Sequence, residues 1–212
     1  MDQILTWIDY AGVVVFAATG CLVAARKRLD VISFILLATV TGIGGGTVRD
    51  VVLDLTPVFW VAEPIYLLLC TTTALLMFLV AQKINAYQRW LIWGDAVGIA
   101  VFTVIGTDIA MRTGAHWSVC LLMGVTTSIV GGIIRDLLAG EPSLVMRREI
   151  YATACAAGSG LFLLMHAFYP SLAVAAGVFV TFAIRAAAIY WRLHLPGYAW
   201  QEDDAKRRSG DH

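Results

Sequence analysis

The chain has 212 residues, of which 59% are apolar and 14% charged, and its mean hydropathy is +0.78. Soluble domains carry about 25% charged residues, so this chain cannot coat a soluble globule with charge, and it is far too apolar to be disordered. The 15 Lys+Arg balance the 15 Asp+Glu, which leaves no basic surplus for nucleic acid.

A helix that crosses a bilayer needs about 20 mainly apolar residues. Seven runs meet that measure, at about 4–25, 31–52, 62–81, 90–111, 117–138, 150–168 and 171–192. They are continuously apolar, without the alternation of barrel strands, so each reads as a helix. The first run lacks a basic leader and an A-x-A cleavage site and reads as a retained span. It carries Asp9 and closes on Arg26-Lys27-Arg28. The second holds Thr41-Gly42-Ile43-Gly44-Gly45-Gly46-Thr47-Val48-Arg49-Asp50. The third opens near Glu63, and the fourth carries Asp95 and Asp108. The fifth holds Thr127-Ser128-Ile129-Val130-Gly131-Gly132-Ile133-Ile134-Arg135-Asp136. The seventh carries Arg185, the deepest lone charge, which either reaches back to the interface or neutralises a buried acid. A polar tail follows at 194–212. Cys21, Cys70, Cys120 and Cys155 each sit inside an apolar run and read as small apolar residues.

Lys and Arg distribute unevenly between the two sides. One side holds Arg26, Lys27, Arg28, Lys83, Arg89, Arg135, Arg147, Arg148, Arg192, Lys206, Arg207 and Arg208, and the other holds Arg49 and Arg112. The positive-inside rule then puts the N-terminus outside and the C-terminus in the cytoplasm.

Shifted by 86 positions, the sequence matches itself. Trp7, Asp9, Gly12, Val15, Phe16 and Gly20 fall on Trp93, Asp95, Gly98, Val101, Phe102 and Gly106. Thr41, Ile43, Gly45, Gly46, Arg49 and Asp50 fall on Thr127, Ile129, Gly131, Gly132, Arg135 and Asp136. Apolar composition alone does not align two Gly-Gly-x-x-Arg-Asp strings and two Asp-x-x-Gly strings in one register. The expected fold class is an all-α integral membrane protein with seven transmembrane helices. Residues 1–84 form one three-helix repeat, 85–169 a second, 170–193 the seventh helix, and 194–212 a cytoplasmic tail. Three spans per copy is an odd number, so the second copy is inverted. Inverted repeats are typical of proteins that move solutes across a bilayer.

Gly44, Gly45 and Gly46 inside a span each cost about 1 kcal/mol in helix propensity relative to alanine. Glycine clusters commonly bend helices. Irregular backbone at membrane depth survives only against protein or a water-filled cavity. A break or kink is therefore expected at Gly44–Gly46 and at Gly131–Gly132, with Thr41, Thr127 and Ser128 beside it. Close helix packing is the competing reading of the same glycines. Arg49-Asp50 and Arg135-Asp136 fall near opposite membrane boundaries. Neighbours on a helix do not face each other, so partners on other helices are expected, with Asp9, Asp95 and Arg185 as the candidates. The charged pairs read either as structural ion pairs or as charged mouths of one pathway. Phosphate-loop, zinc-hydrolase and serine-hydrolase motifs are missing, so an enzyme is not expected, nor a metal or cofactor.

The GIGGGTVRD string, the GGIIRDLLAGEP string and the paired three-helix units resemble the prokaryotic TRIC (trimeric intracellular cation) channel family, also catalogued as a glycine-transporter domain family. The resemblance spans about residues 4–193. It implies a homotrimer in a bacterial inner membrane, with one pathway per protomer. It also implies permeation of potassium and other monovalent cations such as sodium, and kinks at the glycine motifs. Val130 stands where a third glycine would complete the second motif, so the second kink is expected to be milder. A secondary transporter of a small zwitterion such as glycine is the alternative, because helix ends at a glycine break suit a carboxylate and an ammonium equally well.

Overall fold

The computed structural model describes residues 2–83, 87–143, 150–191 and 193. The tail 194–212 and residues Arg147, Arg148, Arg192, Lys206, Arg207 and Arg208 lie outside the described residues. Among the described residues the regular structure is entirely helical. The helices are α1 (Asp2–Arg26), α2 (Val31–Val52), α3 (Phe59–Ala62), α4 (Ile65–Val80), α5 (Tyr87–Arg112), α6 (Trp117–Leu138), α7 (Ala152–His166) and α8 (Pro170–Trp191). A single 3-10 turn, Ala81–Lys83, extends α4. Five helices, α1, α2, α5, α6 and α8, are long and apolar enough to cross a membrane, while α4 and α7 are shorter apolar helices. The chain is an integral membrane protein of the all-α class. The exposed flanks of its helices carry large apolar side chains such as Leu36, Leu76, Leu79, Leu122 and Phe179, which water would not tolerate at this density. Trp7, Trp90, Trp117 and Trp191 are exposed at helix ends, as interfacial tryptophans are.

Local chemistry fixes the helix ends. Asp30 caps α2 by accepting a hydrogen bond from the Ser33 N–H at 2.8 Å. That contact holds the Asp30 carboxyl below the usual carboxylate range. α2 ends on Asp54 at φ 56° and α6 on Gly140 at φ 65°. Both close in the same way. The Leu55 N–H donates to the Asp50 carbonyl at 2.8 Å, and the Glu141 N–H to the Asp136 carbonyl at 2.9 Å. α1 and α5 end alike on Arg28 and Gly114, at φ 55° and 78°. Each pair of closing residues lies 86 positions apart.

α1 packs against α2, α4 and α5; α2 packs against α6; α5 packs against α6 and α7; and α8 covers α7 and α5. At the centre α2 crosses α6 backbone against backbone. A Cβ on Gly45 would collide with the Thr127 carbonyl, and one on Gly131 would collide with the Thr41 carbonyl. Both residues of each contact are 86 positions from those of the other. The same holds one layer out, where Gly20 abuts the Leu37 carbonyl and Gly106 abuts the Met123 carbonyl. Gly12 faces the Phe102 ring and Gly98 the Phe16 ring, and the two rings pack at 5.0 Å.

The expected helix break is not there. α2 and α6 stay helical through Thr41–Asp50 and Thr127–Asp136. Apolar surroundings give an unwound backbone no partner for its N–H and C=O groups. The glycines instead let the two axes approach, as small residues do between helices in lipid.

Gly45→Ala and Gly131→Ala should each force α2 and α6 apart and destabilise the fold by about 3 kcal/mol. Gly160→Ala, where nothing lies within 4 Å of the added Cβ, should leave stability unchanged or slightly raised. Thermal unfolding of the detergent-solubilised protein checks the contrast.

Candidate functional site

The two Arg-Asp pairs anchor two clusters of charge, one at each end of the α2–α6 crossing. In the first, Arg49 and Asp50 stand in the last turn of α2. Arg49 Nε and Nη2 donate to Asp50 Oδ1 at 2.8 and 2.7 Å. Asp50 Oδ2 accepts from the Phe59 N–H at 2.9 Å, which anchors α3. The Arg49 guanidinium lies 5.6 Å from the centre of the Phe59 ring. Beside them, the Tyr66 hydroxyl donates to Asp9 Oδ2 at 2.5 Å.

The second cluster uses the corresponding residues of α5, α6 and α7. Arg135 Nε donates to Asp136 Oδ1 at 2.9 Å, and its Nη1 donates to Asp95 Oδ1 at 3.0 Å. The same Nη1 reaches the Thr19 hydroxyl of α1 at 3.0 Å. The Tyr151 hydroxyl donates to Asp95 Oδ2. Arg185 of α8 places its guanidinium 4.6 Å from the centre of the Tyr151 ring and donates from Nη1 to the Ile150 carbonyl at 3.2 Å. Arg135 and Asp95 are fully buried.

Two expectations about pairing part ways here. Asp95 does partner Arg135. Arg49 and Arg135, however, also bond the aspartate next in sequence. An arginine side chain is long enough to fold back across its helix in a last turn, where no further turn blocks it. Adjacency therefore did not exclude the pair.

Two cavities meet at Asp9. The larger, about 260 Å³, is a vestibule lined by Leu5, Thr6, Asp9, Glu63, Tyr66, Ile105, Asp108, Ile109 and Arg112. Its acids are Asp9, Glu63 and Asp108. Asp108 accepts from Arg112 Nε at 2.7 Å, and Glu63 Oε2 accepts from the Tyr10 hydroxyl at 3.1 Å. The smaller lies deeper, between α1, α2, α5 and α6. It leaves about 10 Å³ for the centre of a water molecule and is lined by Asp9, Phe16, Thr41, Gly42, Gly45, Gly46, Arg49, Phe59, Phe102 and Thr127. That space holds about one water.

Thr41, Gly45, Gly46, Arg49, Thr127 and Asp9 thus share one chamber. Gly44 and Gly131 sit at the crossing itself, where a Cβ on Gly44 would lie 3.8 Å from the Gly131 Cα. Gly132 borders the second cluster, and a Cβ there would lie 3.5 Å from Arg135 Nη2. Ser128 is turned to its own helix and donates to the Val125 carbonyl at 2.8 Å. Among the described residues no group of three or more His, Cys, Asp or Glu is placed to hold a metal ion.

Reading the sequence missed Tyr66 and Tyr151, which close on Asp9 and Asp95. Their signal was present one register over. Tyr66 and Cys70 match Tyr151 and Cys155 at a shift of 85, one position short of the 86 that aligns the earlier residues. Phe59 and Thr19 were also missed, and neither has a counterpart that a shift could have flagged.

Arg135→Ala should leave Asp95 and Asp136 buried without their cation and cost about 3–5 kcal/mol. Arg135→Lys should recover only part of that loss, since an ammonium lacks the planar fork that reaches both acids. Thermal unfolding followed by size-exclusion chromatography checks both.

The family model described as "Glycine transporter" matches residues 6–82 and again 92–167. The inner membrane protein YadS of Escherichia coli K12 is 40% identical over 209 residues, covering 95% of this chain and 99% of YadS. Crystal structures of the TRIC trimeric intracellular cation channel orthologue from Rhodobacter sphaeroides superpose with a TM-score of 0.88 at 45% identity. That match covers 90% of this chain and 100% of the orthologue. A prokaryotic TRIC channel crystallised in 0.5 M KCl gives a TM-score of 0.87 at 25% identity, over 92% of this chain and 100% of that one. With the glycine crossing and both charged clusters in place, the chain belongs to the prokaryotic TRIC channel family, the family also described as glycine transporters.

Proposed function

We propose that the chain is a passive channel for monovalent cations, potassium and sodium, with one pathway through each protomer of a homotrimer. The observation that carries this reading is the acid-lined vestibule that narrows at Asp9 to a chamber for about one water. Three carboxylates against one arginine concentrate cations at the mouth, as acidic rings do in cation channels. The chamber beyond is lined by threonine and glycine and fits a small cation stripped of most of its hydration. The similarity to the trimeric intracellular cation channel orthologue of Rhodobacter sphaeroides points the same way.

The pathway runs between two gates. Tyr66 bonded to Asp9 closes the first, and Tyr151 bonded to Asp95 closes the second. On opening, α2 and α6 bend at Gly44–Gly46 and Gly131–Gly132, where no side chain resists. Seven spans make up the fold, with α4 and α7 as the short third and sixth. They divide into two inverted three-helix repeats and α8. Contacts that recur 86 positions apart support the division, as does a family model that matches twice. The N-terminus faces outward and the basic ends face the cytoplasm of a bacterial inner membrane. Inner-membrane relatives support that placement.

The glycine-carrier reading is weaker on size. A chamber for one water does not seat an amino acid, and the vestibule alone offers no occluded site of the kind alternating access requires.

Reversal potentials across planar bilayers under a KCl gradient test the proposal. Discrete cation-selective steps, unchanged by added glycine, are expected. Saturable glycine counterflow in liposomes without any conductance would overturn it. Asp9→Asn should weaken the preference for potassium over chloride and lower unitary conductance, with the protein still assembled. Wild-type selectivity in that variant would remove Asp9 from the pathway.

A further inference from the structure

The two gates are built alike from α1, α2 and α4 on one side and from α5, α6 and α7 on the other. Their surroundings differ most plainly at the tyrosine ring. The Tyr66 ring packs against two uncharged rings, Tyr10 at 5.1 Å and Phe59 at 4.7 Å. The Tyr151 ring carries a guanidinium, that of Arg185, at 4.6 Å. Arg185 comes from α8, which has no partner in the matched halves of the sequence. It is 1% exposed, and it also binds the carbonyl of Ile150, the residue before the gate tyrosine.

Charge balance follows the same division. The first cluster sets two acids, Asp9 and Asp50, against one arginine, Arg49. The second sets Asp95 and Asp136 against Arg135, and Arg185 supplies the missing positive charge across the Tyr151 ring.

We infer that Arg185 is a positioning residue that holds the second gate shut. Its guanidinium pins the Tyr151 ring through a cation–π contact and fixes the backbone beside it through a charge-assisted hydrogen bond. Tyr151 cannot swing away from Asp95 without leaving the cation–π contact. The first gate has no such brace, so the two gates of a duplicated fold open unequally, and the helix added to the duplicated six makes them unequal. The inference rests on the reading of the two clusters as gates of one pathway.

Two native cysteines report the gates separately. Cys155 lies one helical turn beyond Tyr151, and Cys70 lies one turn beyond Tyr66; both are buried free thiols. Two versions of the full chain, one keeping only Cys155 and one only Cys70, are reconstituted in liposomes. Each is treated with a charged, water-soluble thiol reagent added to both faces. Arg185→Met should speed modification of Cys155 about tenfold and leave that of Cys70 within about twofold. Arg185→Lys keeps a cation at the ring and should stay within about threefold of the parent at Cys155. Arg185→Gln carries the same comparison should the methionine variant not fold.

An unchanged Cys155 rate overturns the inference. So does an equal rise at both cysteines, which is the mark of general loosening, and so does a lysine variant as fast as methionine. Labelling does not depend on current. Selective labelling of Cys155 in a protein that conducts no cations would uphold the brace and sink the channel reading. Potassium currents with no selective labelling would do the reverse.

Discussion

Everything at the centre of this molecule depends on two helices touching through their backbones. Where α2 crosses α6, Gly45 lies on the Thr127 carbonyl and Gly131 on the Thr41 carbonyl. No side chain separates the axes, so the crossing sets the distance between the two halves of the bundle. It also decides where the charged pairs fall. Arg49-Asp50 and Arg135-Asp136 each follow their crossing glycine by four and five residues. Because α2 and α6 run in opposite directions past the crossing, that spacing carries one pair to each end of it. A single close approach thus positions a narrow chamber in the middle and a cluster of charge beyond each end.

The energetics of those clusters explain their density of bonds. An arginine removed from water costs several kcal/mol unless acids surround it. Arg135 meets that demand with Asp136 from its own helix, Asp95 from α5 and the Thr19 hydroxyl from α1. Three helices are therefore tied to one guanidinium, and none can shift without uncovering a charge. Arg49 is tied more loosely, with Asp50 and the Phe59 ring as its contacts here. The vestibule comes within reach of Asp9 on that looser side.

Much of this was legible in the residues. The spans could be read because lipid demands long apolar runs, and all seven start within three residues of the helices they foretold. The self-match named both charged pairs and their partner Asp95. Close packing was one of two readings the glycines offered, and propensity and kinking statistics could not choose between them because they describe a helix in isolation. The answer lay in what faced them, the carbonyls of Thr127 and Thr41, and one sequence does not say which helices cross. Tyr66 and Tyr151 escaped for a different reason. A one-residue difference between the copies moved them out of register, and on their own they look like ordinary interfacial tyrosines. α3 escaped because a four-residue helix is too short to leave a periodic pattern.

A duplicated bundle with equal ends would have no reason to open at one end before the other. Its two halves hold the same aspartate, the same arginine–aspartate pair and the same tyrosine. Inequality must come from outside the matched halves or from differences within them. Both sources are present. Within them, α3 supplies Phe59 to cover Arg49, and α1 supplies Thr19 to hold Arg135. Outside them, α8 brings one arginine to the second tyrosine and none to the first. Asp9 therefore shares one arginine with Asp50 beside a cavity of about 260 Å³, while Asp95, fully buried, lies among two arginines. The first cluster therefore borders the vestibule, and the second is closed within the bundle.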